Sequence, residues 1–322
     1  MVDALKTLLL RSLDYAGVFP PAQLPMNDAI AEFARCLEDN NEWFMARFVL
    51  PAARIGEFAQ CSRAPLAEAA ATHKPWHATG LLRSSSSIDE AISILRSDLS
   101  LLRGLIQSHP EALTVDSCEL PLPEEVLTTH DQEIARGFLA AARRIFEEFN
   151  FQVPVFWEVN LSKSFEHVAL AAHQANVVHP GTVGLKFRTG GLTAAAIVSP
   201  ENLARAFRVA QTVRVPFKLT AGLHLAMRHF DSAVGAEVFG FLNVFCAAVL
   251  GWTHQLSETE LRLMLEEKDS RAFGFAADGI SWKKYTASIA QIRSVRADGL
   301  RSFGSCSFQE PIDDLKTLNL IH

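Results

Sequence analysis

The chain has 322 residues, 49% of them apolar and 20% charged, with a formal net charge of −6. That is the composition of an ordinary globular protein with a large core. The mild acidity argues against a nucleic-acid partner, which needs a concentrated basic face. The five cysteines (Cys36, Cys61, Cys118, Cys246, Cys306) are scattered, without the close spacing of a zinc or redox motif, and read as reduced thiols in a cytoplasmic protein.

The opening helix spans about Asp3–Leu13, and the N-terminus has too short an apolar run and the wrong flanks for a signal peptide. An aromatic and proline-rich loop, Tyr15–Pro21, and a helix near Met26–Glu38 follow. From there, short apolar or β-branched runs alternate with longer helical ones. The predicted strands are Trp43–Val49, Trp76–Leu81, Leu113–Cys118, Val153–Val159, Val183–Arg188, Phe217–Ala221 and Ala272–Ala276. The predicted helices lie near 52–61, 88–108, 130–149, 163–176, 200–213 and 234–267. Ser87-Ile88-Asp89-Glu90 and Ser199-Pro200-Glu201 carry helix-start chemistry. The apolar stretch Val238–Trp252 is shorter than the ~20 residues of a membrane span and reads as a buried helix, so no membrane partner is expected.

This rhythm implies parallel strands with helical crossovers. Seven strands, with an eighth not located, favour an α/β fold: a single (β/α)8 TIM-type barrel over residues 1–322. In this reading residues 1–40 form an N-terminal helical extension, 41–300 the barrel and 301–322 a C-terminal tail. No Gly-x-Gly-x-x-Gly turn supports a dinucleotide fold.

Side chains alternate across a strand. In Val183–Arg188 the apolar residues share the helix-facing side, which sends Lys186 and Arg188 inward. In Phe217–Thr220 the same logic sends Lys218 and Thr220 inward, and in Val155–Asn160 it sends Glu158 inward. Barrel enzymes build their sites at the C-terminal ends of the strands. A second cation on the adjacent strand disfavours protonation of the first amine, and a neutral lysine attacks carbonyls. Glu158 or Asp116 would then move protons. Arg188, the Gly190-Gly191 turn, Thr220, His224, Arg47 and Asn243 are the candidates for holding an anionic substrate. A buried ion-pair network among Glu158, Lys186 and Arg188 is the purely structural alternative.

Lys186-Phe187-Arg188-Thr189-Gly190-Gly191 and Lys218-Leu219-Thr220-Ala221-Gly222-Leu223 resemble the paired strand motifs of class I (Schiff-base) aldolases of the deoxyribose-phosphate aldolase type. That family carries Lys-Thr-Ser-Thr-Gly followed by Lys-Ala-Ser-Gly-Gly. The likeness covers about Leu113–Gly222; Arg188 and Leu223-His224 depart from the pattern. It implies a TIM barrel with Lys186 as the Schiff-base lysine, Lys218 as its electrostatic neighbour and Asp116 as the proton-relay carboxylate.

The leading expectation is a lyase of aldolase type acting on a small anionic carbonyl compound, with no cofactor. The second is a metal-assisted lyase or isomerase using Glu158, His224 and Asp116, although no His-Glu-x-x-His pattern supports a metal ion. The third is a non-catalytic barrel that binds a small anion or a protein partner. A homo-oligomer is left open. No Gly-x-Ser-x-Gly elbow or Cys–His pattern points to a serine or cysteine nucleophile.

Overall fold

The computed structural model describes residues 3–321. Met1, Val2 and His322, the outermost residues of the expected extension and tail, lie outside the described residues. Eight parallel strands close into a barrel: β1 (Leu13–Tyr15), β2 (Met45–Pro51), β3 (Trp76–Leu81), β4 (Leu113–Pro121), β5 (Val155–Val159), β6 (Val183–Arg188), β7 (Phe217–Thr220) and β13 (Leu300–Ser305). Between β7 and β13 the chain makes a hairpin of β8 (His229–Asp231) and β9 (Ala236–Val238). It then makes a three-stranded antiparallel sheet of β10 (Phe273–Phe275), β11 (Gly279–Trp282) and β12 (Tyr285–Ser288).

The barrel is therefore as expected, but two of its staves are not where the sequence put them. Sequence patterning places Leu13–Tyr15 at the end of a helix and the start of a loop, yet it pairs with both β2 and β13. The expected boundary at 300 divides Leu300–Ser305 between the barrel and the tail, yet it is the stave that closes the ring. The boundaries at 40 and 300 thus cut through structure that is continuous with the barrel. The predicted strand Ala272–Ala276 exists as β10 but belongs to the small side sheet.

Helix starts follow their local chemistry. The Ser87 hydroxyl accepts from the Glu90 amide at 3.4 Å, and Ser199 accepts from Asn202 at 3.2 Å with Pro200 at the first helical position. Outward faces of the strands pack on helices through aromatic rings. Phe217 lies 5.2 Å from Phe187 and 5.0 Å from Phe207, and Phe165 lies 5.9 Å from Phe187. Each such buried ring contributes about 1.5–3 kcal/mol. The apolar run predicted as a buried helix is one: Phe241–Trp252 is buried throughout. No helix among the described residues is long and apolar enough to cross a membrane.

Candidate functional site

The barrel interior departs from the usual layers of branched apolar side chains. Inward positions carry Asp14 on β1, Glu119 on β4, Lys186 on β6, Lys218 on β7 and Ser302 on β13, each at most 5% exposed. The register sets Glu158 opposite Lys186 and Lys186 opposite Lys218, so the two lysines stand on neighbouring strands as side-chain alternation predicts.

Their surroundings are what the sequence did not disclose. Lys218 Nζ sits 2.7 Å from Asp14 Oδ2 and donates to Glu119 Oε1. Lys186 Nζ lies 2.9 Å from Glu119 Oε2 and 3.1 Å from Glu158 Oε2. Arg188 Nε donates to Glu158 Oε1 at 3.0 Å. In the other direction Asp14 Oδ1 accepts from Arg47 Nη1 at 3.3 Å, and Arg47 Nε donates to Asp116. The result is one alternating chain, Asp116–Arg47–Asp14–Lys218–Glu119–Lys186–Glu158–Arg188, with equal numbers of acids and bases. Hydroxyls complete the shell: Ser302 donates to Asp14 at 2.5 Å, Thr79 to Glu119 at 3.3 Å and Ser117 to Thr79 at 2.9 Å.

Burial alone would push Glu119 up, but Lys218 and Lys186 hold it well below the usual carboxylate range. Glu158 is lowered in the same way, with burial opposed by Lys186 and Arg188. Burial works against the charge on Lys186, but Glu119 and Glu158 more than offset it and raise its pKa. The expectation that one lysine depresses the other is thereby reversed. Glu119 stands between the amines and screens each from its neighbour.

Above this chain, at the C-terminal ends of the strands, lies a cavity of about 720 Å³. Lys186 and Glu119 contribute to its lining, as do Arg188, Thr220, Gly191 and His224. The Tyr15–Pro21 loop covers one side through Phe19, Pro20 and Pro21, and the β8–β9 hairpin covers another. His224 Nδ1 lies 3.0 Å from Glu310 Oε2 and 3.9 Å from Cys306 Sγ. Burial opposes its charge, yet these two contacts raise its pKa to about 10.

The remaining sequence candidates are not at this mouth. Asp116 binds Arg47 and accepts from His77 Nδ1 at 3.0 Å, away from both lysines, so the carboxylate that bridges the amines is Glu119 rather than Asp116. Arg47 lines a different cavity at the opposite, N-terminal face. Asn243 is fully buried, and its amide is spent on backbone. It accepts from Arg228 N at 2.8 Å and donates to Met264 O at 3.0 Å and Glu267 O at 2.7 Å. Gly190 serves close approach of two loops. A Cβ there would meet Gly222 Cα at 3.3 Å and Ala221 O at 3.4 Å, so its lack of a side chain answers to packing.

Glu158, His224 and Asp116, the proposed metal set, each face separate partners. Among the described residues no group of three or more metal-ligating side chains converges. Asp14, Glu119, Cys306 and Glu310 are site residues that sequence patterning does not single out. The signal for Glu119 was available, because Leu120-Pro121 continues β4 past Cys118.

A scan against protein-family models finds no match, and a search of curated proteins finds none either. Among solved structures, the chain is similar to an IOLI protein with a binding zinc atom, at 10% identity and a TM-score of 0.39, over 81% of this chain and 93% of that one. It is also similar to the CcCel6A catalytic domain, at 10% identity and a TM-score of 0.28, over 65% and 58% respectively. None of these comparisons points to the Schiff-base aldolases, so the chemistry of the site follows from its own geometry.

Proposed function

We propose that the protein is an enzyme that moves protons on a small anionic carbonyl compound at the C-terminal mouth of the barrel, as an isomerase or lyase. The observation that carries this reading is that, of the interior ion-pair chain, Lys186, Glu119 and Arg188 open onto a substrate-sized cavity. Lys186, held charged by two carboxylates, is a fixed hydrogen-bond donor for an oxygen that gains negative charge. Arg188 is half-exposed and forks onto an anionic group. Glu158 lines an adjoining hollow that shares Arg188 with the mouth; when substrate takes that fork, Glu158 loses one cation, its basicity rises, and it becomes the base that removes a proton beside the carbonyl.

A Schiff base on Lys186 is the second reading, favoured by the direct cross-strand pairing of the two lysines. Against it stands the ion pairing of Lys186 with Glu119 and Glu158, since only the neutral amine is a nucleophile. The two are separated by incubating the protein in D2O with a panel of 2-oxo acids and sugar phosphates. Solvent deuterium at the carbon beside the carbonyl, slowed about 100-fold or more by Glu158→Gln and without any adduct trapped by borohydride, is the expected result. A borohydride-stable adduct on Lys186 would replace direct proton transfer with the Schiff base whether or not deuterium enters, because the enamine of a lysine adduct exchanges the same proton. Absence of both would leave a binding barrel.

A further inference from the structure

At the N-terminal face of the barrel, opposite the mouth, lies a second cavity of about 770 Å³. It is built where the helix Asp3–Leu9 runs toward β1 and the helix Ile289–Asp298 runs toward β13. Its lining holds Lys6, Arg11, Arg47, Arg293, Arg296 and Arg301, against a single acid among the described residues, Asp3. Arg47 is committed to Asp14 and Asp116. Among the described residues, none of the other five comes within 4.0 Å of a carboxylate oxygen.

Part of this charge has an internal use. Arg296 donates to the carbonyls of Leu300 at 2.8 Å and Leu10 at 3.1 Å, and its guanidinium lies 5.0 Å from the Phe245 ring centroid. Those contacts satisfy donors but do not neutralise the cation. Burial and the neighbouring Arg301 both push the Arg296 pKa down. Arg301 is pushed down as well by burial, with Asp298 offsetting in part and Arg47 adding to the repulsion. Concentrated like charge around a concave site raises the local concentration of counter-ions and favours a ligand of opposite sign.

We infer that this N-terminal-face cavity is a second binding site, distinct from the mouth, for a compact phosphorylated anion carrying two or more negative charges. Guanidinium forks match phosphate oxygens two at a time, and the volume lies within the range of small-molecule sites. A monovalent anion would leave most of the cationic lining unneutralised, whereas closely spaced phosphates reach several guanidinium groups together.

The test is calorimetric titration of the full chain at low ionic strength with inorganic phosphate, pyrophosphate and a nucleoside diphosphate. The expected result is that pyrophosphate binds at least tenfold more tightly than phosphate, weakens as salt is added, and raises the melting temperature. A nucleoside diphosphate that binds more tightly than pyrophosphate means the organic part contributes. Equal affinity means the diphosphate alone is read. Both outcomes support the site. Two variants locate it. Arg293→Ser with Lys6→Ser removes exposed cations, and Arg301→Gln removes one inside; each is expected to weaken pyrophosphate at least tenfold while melting as the parent does without ligand. No heat at millimolar pyrophosphate overturns the inference. So does binding untouched by both variants, or binding lost in Arg188→Gln instead, which would move the ligand to the mouth.

Discussion

The two ends of this barrel handle buried charge in opposite ways. Through the interior to the C-terminal mouth, each cation of the chain stands beside a carboxylate, and the sequence Asp116 to Arg188 alternates without a gap. At the N-terminal face, arginines crowd together, with Asp3 the one acid among the described residues that line the same cavity. The first arrangement is self-sufficient: its pairs hold one another, and breaking one leaves a charge stranded. The second completes its electrostatics from outside. Arg47 belongs to both and marks where one regime gives way to the other.

Substitutions that strand or relieve charge break this comparison most directly. Glu119→Leu removes the carboxylate shared by both lysines and is expected to lower stability by about 3–5 kcal/mol, measured by denaturant unfolding. Adding Lys218→Met should recover much of the loss, because the stranded cation goes with its partner. At the other face Arg301→Gln removes a repelled cation and is expected to change stability by no more than about 0.5 kcal/mol, or to raise it. Equal losses at both faces would erase the distinction. Asn243→Ala, which leaves two carbonyls and one amide without their partner, should cost about 2–3 kcal/mol by denaturant unfolding.

A smaller effect appears against pH. Glu119, Glu158 and Asp116 are held low in the folded chain. Their contribution is therefore present above the unfolded carboxylate pKa of about 4 and is lost as pH falls through the folded values. Lys186 is raised, so its contribution is lost only as pH rises beyond the ordinary lysine range. His224 is raised to about 10. Its contribution is complete below about pH 6.5 and fades as pH rises toward the folded value. A melting-temperature profile should fall gently across that window in the parent and flatten there in His224→Gln. An unchanged slope in the variant would assign the titration to another group.

What the sequence disclosed follows the physics of each element. β2 to β7 have apolar outward faces that pack on helices, so periodicity located them. β13 reads Leu-Arg-Ser-Phe-Gly-Ser because its inward face meets a polar interior, and β1 is three residues long. Neither presents an apolar run, and with them went Asp14. Inward placement of Lys186, Lys218, Glu158 and Arg188 was legible from alternation alone. Which carboxylate faces which amine was not. That depends on the register shift between β3 and β4 beside Asp116, which carries Glu119 to the lysines. His224, Cys306 and Glu310 meet only when the barrel closes, across 82 and 86 positions of chain.

In the proposed function Lys186 works as a fixed cation and not as a nucleophile. Deuterium exchange into the active panel substrate, compared between Lys186→Arg and Lys186→Met, tests it most directly. A cationic donor is retained in the first and lost in the second, so Lys186→Arg should keep measurable exchange while Lys186→Met loses about 100-fold or more. If both variants are equally inactive and borohydride traps substrate on Lys186 of the parent, the amine is the nucleophile and Lys186 is not a fixed cation.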